Sequence, residues 1–153
     1  MGITTTLALY LADQGVAYDL VPHPRATPAA APAVAADSVA QAVVLRGGDD
    51  GFMLAVAPAS RRIQFEELRH LVGSEVDVAG AEQVETLFLD CEWDAVPALG
   101  AAYGLKVVVD DSLAQQSEIY IEGGDHASLV HISGRNFQKL LASAPHGRFS
   151  GRA

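Results

Sequence analysis

The sequence predicts an α+β domain: a mixed, largely antiparallel β-sheet that curls into a distorted barrel, flanked by short helices. Three observations predict it. Helical periodicity comes only in short pieces, unlike the long alternating helices of a doubly wound parallel sheet. About six or seven short β-rich runs lie among these helices. Several of the runs are joined by Gly- and Asp-rich turns of hairpin length. The 153 residues suit one domain. We expect residues 1–144 to form it and 145–153 to be a flexible C-terminal tail.

From Thr4 to Gln14, Leu7, Tyr10 and Leu11 recur at helical spacing, and Gly15 marks a stop. Val16 to Val21 reads as a strand ended by Pro22-His23-Pro24. Thr27-Pro28 has the pattern of an N-cap with proline at the first helical position, and alanines carry that helix to Ala36. Ala40 to Arg46 and Phe52 to Ala57 flank Gly47-Gly48-Asp49-Asp50-Gly51, a strong hairpin signal. Ile63 to Val72 sets Phe65, Leu68, Leu71 and Val72 on one helical face, with Gly73 as its stop. Val76 to Val78 is a short strand and Ala81 to Leu87 a short helix. Asp90 to Gly104 has no period and reads as a long loop. Leu105 to Val109, Glu118 to Glu122 and Leu129 to Ile132 are further strands, and Gly134 to Leu141 is a last helix.

Composition narrows the function. Half of the residues are apolar and 19% are charged, enough oily material for a full core. Lys and Arg number 10 against 19 Asp and Glu, for a net charge of −9, and the mean hydropathy is +0.19. That balance argues against a generic nucleic-acid binder, DNA included. The single cysteine, Cys91, supplies neither a disulfide nor a zinc cluster, which fits a reducing cytoplasm. No apolar run approaches the roughly 20 residues that span a bilayer, so no membrane partner is expected. Met1 to Thr6 meets the loose myristoylation pattern, but no basic patch supplies a second anchor.

The familiar chemistry is missing. The histidines 23, 70, 126, 131 and 146 lack the i, i+4 spacing of a zincin helix, so no metal is expected. Neither a P-loop, nor a dinucleotide fingerprint, nor a nucleophile elbow occurs, and no cofactor is expected. Three polar interruptions of apolar context remain. Gln41 sits near the start of a strand, where alternation alone makes it a solvent-facing residue. Asp94 to Gly100 is a Pro/Gly loop that could aim amides at a ligand oxygen or form ordinary turns. Gly123-Gly124-Asp125-His126 is standard turn chemistry followed by a histidine.

In order and spacing, these segments resemble the YbaK / prolyl-tRNA-synthetase-associated domain family of aminoacyl-tRNA deacylases. The matching pieces are Val21-Pro22-His23-Pro24, Val39 to Arg46, Phe52 to Pro58 with Arg61-Arg62-Ile63, and Cys91-Glu92 leading to Val96-Pro97-Ala98-Leu99-Gly100. Tyr103-Gly104, Val107 to Asp110, Ile119 to Ile121 and Gly124-Asp125-His126 complete the pattern. The resemblance implies a distorted barrel with a cleft on its surface, and hydrolysis of the ester of mischarged tRNA. Gln41 stands at the position of the family's lysine. His23, Asp94, Pro97, Gly100, Gly124, Asp125 and His126 are the substrate-binding positions the resemblance carries over. The partner would be the aminoacylated 3′ end of tRNA, held by weak and limited contact, and a homodimer is left open.

Two departures from the family pattern bear on activity. A glutamine amide can donate a hydrogen bond but lacks the lysine's charge, and losing such a contributor costs about 2.7–4 kcal/mol of transition-state stabilisation. The glycine that should precede Pro97 falls near Trp93 or Asp94, and a carboxylate facing the cleft would repel an oxyanion. Two expectations follow: a trans-acting deacylase, weakened at Gln41, or a catalytically silent binding or regulatory module.

Overall fold

The computed structural model describes residues 4–22, 36–47, 51–73, 75–91, 96–124 and 128–152. The helix expected from Thr27, the tip of the Gly47–Gly51 turn, and the site positions His23, Asp94, Asp125 and His126 lie outside them.

Local chemistry accounts for the helices. In α1 (Thr5–Gln14), the Thr4 hydroxyl accepts the Leu7 N–H at the N-terminus, and Gly15 closes the far end at φ 67°. Leu7 and Leu11 are buried on one face. In α2 (Phe65–Val72), Glu66 and Glu67 lie in the first turn and Arg69 and His70 in the last, the arrangement that the helix dipole favours. α3 (Ala81–Leu87) starts where the Gln83 side chain accepts the Gly80 N–H. α4 (Gly134–Leu140) is capped by the Ser133 hydroxyl, which accepts the Asn136 N–H.

The strands are β1 (Asp19–Pro22), β2 (Val39–Gly47), β3 (Phe52–Pro58), β4 (Arg61–Ile63), β5 (Val76–Val78), β6 (Lys106–Asp110), β7 (Glu118–Glu122), β8 (Ser128–Ser133), β9 (His146–Gly147) and β10 (Ser150–Arg152). The main sheet runs β1-β8-β7-β2-β3-β6-β9, with β5 also on β2, while β4 and β10 form a separate ribbon. Pairing is antiparallel for β1–β8, β7–β8, β2–β3, β2–β5 and β4–β10. It is parallel for β2–β7, β3–β6 and β6–β9. The fold is therefore α+β with a mixed, mostly antiparallel sheet. Among the described residues no pairing joins β1 to β9.

The central strands are covered on both faces, which explains their continuous apolar runs. Val44, Leu54 and Val56 pack with Leu7, Leu11, Phe88, Ile119, Ile121 and Phe137 in the larger core. Their strand neighbours Leu45, Ala55 and Ala57 pack on the other side with Leu68, Val108 and Phe149.

Three expectations are corrected. Val16 joins the larger core just after α1, its N–H bonded to the Leu11 carbonyl, and the strand begins only at Asp19. Arg61–Ile63 is a strand, so α2 starts at Phe65. The C-terminal segment is no frayed tail: β9 pairs with β6, β10 pairs with β4, and Phe149 between them is fully buried. One large aromatic anchors an otherwise polar stretch.

Candidate active site

Gln41 lies on β2, directly opposite Ala57 of β3. Its neighbours Ala40 and Ala42 belong to the larger core, so strand alternation turns Gln41 to the other face, where it is exposed. β7 runs parallel to the start of β2, pairing Val39 with Tyr120 and Ala40 with Ile121, and then leaves it. β5 takes up the same edge only from Leu45 onward. Between them, Gln41 to Val44 has no strand partner on this edge among the described residues. The Val44 carbonyl accepts the Ala79 N–H on this edge, so the alternation of the strand aims the Ala42 peptide groups into the same opening. Flanking the opening on the Gln41 face, Tyr120 stacks on His131 with ring centroids 4.7 Å apart, and His131 contacts Glu118 and Asp19.

The end of β7 is tightly built. Gly123 bonds the Ser128 carbonyl through its N–H and accepts the Thr4 N–H at 3.0 Å. Glu122 turns back to accept the Gly124 N–H at 3.1 Å. Gly124 has φ 100°, and a Cβ there would fall 2.2 Å from Thr4 Cγ2 and 3.3 Å from Cys91 Sγ. Both the backbone angle and the space require glycine.

Beneath this turn is a polar cluster that sequence reasoning missed. Tyr103 donates its hydroxyl proton to Asp90 at 2.9 Å, so the Thr4 hydroxyl, also 2.9 Å from it, is left to donate toward Tyr103. Cys91 Sγ lies 3.3 Å from the same phenol oxygen, and the Thr6 N–H donates to the second Asp90 oxygen. Burial pushes the Cys91 thiol up to about 11, and the Asp90 and Glu122 carboxylates add to the rise. Burial also raises the Tyr103 phenol. Burial works to raise Asp90 too, but hydrogen bonds from Thr6, Tyr103 and Cys91 outweigh it and leave its carboxyl below the usual range. A thiol so disposed is protonated at neutral pH and is no nucleophile. The cluster braces α1, the Asp90-Cys91 stretch after α3, Tyr103 and the end of β7 against one another.

The carried-over positions divide. Gln41 lies where the β2–β7 pairing ends, whereas Gly124, beyond the end of β7, packs against Thr4 and Cys91. Pro97 is buried. Gly100 is buried, and a Cβ there would fall 2.6 Å from Val107 Cγ2 and 3.0 Å from the Leu105 carbonyl oxygen, so the space requires glycine. Among the described residues no group of His, Cys, Asp and Glu side chains could hold a metal. No helix among them is long and apolar enough to cross a membrane.

A mixed, mostly antiparallel sheet with short flanking helices is the architecture of an aminoacyl-tRNA editing domain, as the comparisons show. Residues 24–140 match the aminoacyl-tRNA editing domain, and the chain belongs to that family. Among solved structures, it is similar to a candidate trans-editing enzyme for prolyl-tRNA synthetase, at 20% identity and TM-score 0.81 over 95% of both chains. It is likewise similar to the hypothetical protein APE2540, at 21% identity and TM-score 0.82, covering 95% of this chain and 99% of that one. A candidate signal transduction protein from Marinobacter aquaeolei VT8 shares the fold at 17% identity and TM-score 0.78, over 95% of this chain and 30% of that longer one. A comparison with curated proteins gives no match.

Proposed function

We propose that this protein hydrolyses, in trans, the ester linking a wrong amino acid to the 3′ end of tRNA. The observation that carries the reading is the exposed amide of Gln41, at the family's lysine position, beside the opening between β2 and β7 in an aminoacyl-tRNA editing domain. The barrel-like curl of the sheet and a cleft on its surface belong to the same reading. So do a cytoplasmic setting and a weak contact confined to the aminoacylated terminus, which a chain of net charge −9 can make. The similarity to a candidate trans-editing enzyme for prolyl-tRNA synthetase supports tRNA charged by that synthetase as the substrate. His23, Asp94, Asp125 and His126 stay within the proposal as residues the family resemblance assigns to the substrate.

In this mechanism the Gln41 amide donates to the ester carbonyl oxygen, where negative charge develops. Water adds to the carbonyl carbon, and the vicinal ribose hydroxyl of the substrate relays its proton. The acyl C–O bond then breaks, the ribose oxygen takes the proton, and free amino acid leaves. A neutral donor stabilises the oxyanion less than an ammonium, so turnover is slow. Replacing Gln41 with lysine is expected to raise the rate by about a hundred- to a thousandfold.

The test is loss of labelled amino acid from tRNA for proline charged with alanine or cysteine. The wild type is compared with Gln41→Lys. Turnover by the wild type above buffer supports the enzyme. Activity gained only in the lysine variant supports the second reading, a silent binding or regulatory module, which the missing cation favours. Inactivity of both removes the deacylase reading.

A further inference from the structure

We propose that a polar cleft next to Gln41 binds the ribose-phosphate of an RNA 3′ terminus, with Arg61 as the phosphate ligand. The proposal rests on the deacylase reading for its substrate but makes its own binding prediction. The cleft has a volume of ≈ 350 Å³, in the range of small-molecule sites. Its walls include Asp37, Ser60, Arg61, Ser112, Gln115 and Gln116.

The arginines single it out. Arg46, Arg62, Arg135 and Arg148 are exposed, where a lone guanidinium costs little. Only Arg61 and Arg69 are half-buried among the arginines whose side chains are described. Arg69 is neutralised by Glu75 and Asp77, at 3.5 and 3.7 Å. Arg61 has no carboxylate partner among the described residues, and it bonds only the Ser150 carbonyl, at 3.5 Å. The β4–β10 ladder also sets Arg152 opposite it. A partly desolvated guanidinium is normally paired, and its planar fork of donors matches a phosphate.

The remaining wall suits the rest of a nucleotide. Ser38 donates to the Gln116 side-chain oxygen at 2.9 Å, which orients that amide so that its N–H₂ end is a donor not spent on Ser38. Asp37 accepts from Ser60 and forms no salt bridge with Arg61. It supplies an acceptor of the kind that holds ribose hydroxyls and distinguishes RNA from DNA. The cleft also adjoins the reacting position. Pro58, part of its wall, pairs with Ala40, one rung along from the pair formed by Ala57 and Gln41. An ester held at Gln41 would carry its ribose and phosphate past Pro58 toward Arg61. An overall acidic protein thereby keeps one cation where a substrate phosphate arrives.

The experiment titrates the full chain with adenosine 5′-monophosphate, adenosine and inorganic phosphate, followed by NMR, for the wild type, Arg61→Gln and Arg61→Lys. The nucleotide is expected to bind the wild type about tenfold more tightly than adenosine or phosphate alone. Arg61→Gln should abolish that preference and Arg61→Lys should keep part of it, with Tm recorded to show that each variant folds. Equal binding of nucleotide and nucleoside by the wild type overturns the proposal, as does a preference that survives in Arg61→Gln. Phosphate binding as tightly as the nucleotide overturns it in favour of a free-phosphate site. In turnover, the ratio of KM for alanyl-adenosine to KM for alanyl-tRNA should fall about tenfold in Arg61→Gln. A phosphate preference lost in Arg61→Gln, with neither ester hydrolysed by the wild type, would leave this site standing and sink the deacylase reading. Hydrolysis of both esters with no effect of Arg61 would do the reverse.

Discussion

Cys91 shows how neighbours decide what a side chain can do. Partial burial, reinforced by two carboxylates, keeps its thiol protonated, with its pKa pushed up to about 11. An unperturbed thiol titrates near 8.5, so at pH 8 Cys91 should react with iodoacetamide roughly a hundredfold more slowly than free cysteine. The rate should still be climbing at pH 10. A plateau by pH 9 would show that burial and the two carboxylates do not act on the thiol as the geometry requires. Asp110 is the opposite case, a buried carboxylate at 2% exposure. Burial alone would raise its pKa. The Ser112 hydroxyl, the Phe149 N–H, the Ser112 N–H and Ser150 all donate to it, and together they hold it below the usual range. A depressed folded-state pKa contributes stability that is present above the unfolded value of about 3.9 and is lost as pH falls through the folded value. Denaturant midpoints should therefore drop below about pH 4, and Asp110→Asn should lower stability at pH 7 while flattening that acid limb. An unchanged acid limb in the variant would refute the assignment.

At the scale of elements, the C-terminal strands matter most for the second core. The Asp110 bonds tie Phe149 and Ser150 to the end of β6, and Gln64 at the start of α2 donates its N–H to the Phe149 carbonyl. Phe149 thus joins β6, α2 and the β4–β10 ribbon. Phe149→Ala should cost about 3–5 kcal/mol, read from urea midpoints, and a loss under 1 kcal/mol would show the segment to be peripheral. Legibility from sequence follows the same division. The β2–β3 hairpin is readable because apolar runs flank a Gly/Asp turn, and α1 because Thr4 and Gly15 mark its ends. β4 and β10 are not: Arg61-Arg62 and Ser150-Gly151-Arg152 have no period, and each becomes a strand only through a partner far along the chain. Gly100 is only partly readable for a related reason. Its tight approach to Val107 and Leu54 comes from a strand and a hairpin that no local pattern links to it.

For the molecule as a whole, the sheet separates a core braced by α1, α3 and α4 from one covered by α2 and the ribbon. Gln41 stands on the face of the smaller core, where β2 loses β7 and has not yet gained β5. That position is readable in part, since a polar residue inside an apolar strand is conspicuous and the order of the segments resembles the editing family. The Thr4–Asp90–Cys91–Tyr103 cluster is not, because its members come from three separate stretches that no local pattern links. The pairing of Thr4 with Gly124 has a consequence for how such chains diverge. The methyl of Thr4 fills the space that a side chain at 124 would need, while its hydroxyl caps α1 and reaches Tyr103. Evolutionary drift at the two sites is therefore coupled: serine is the natural alternative at 4, and a bulkier branched residue there would have to push the β7–β8 turn aside.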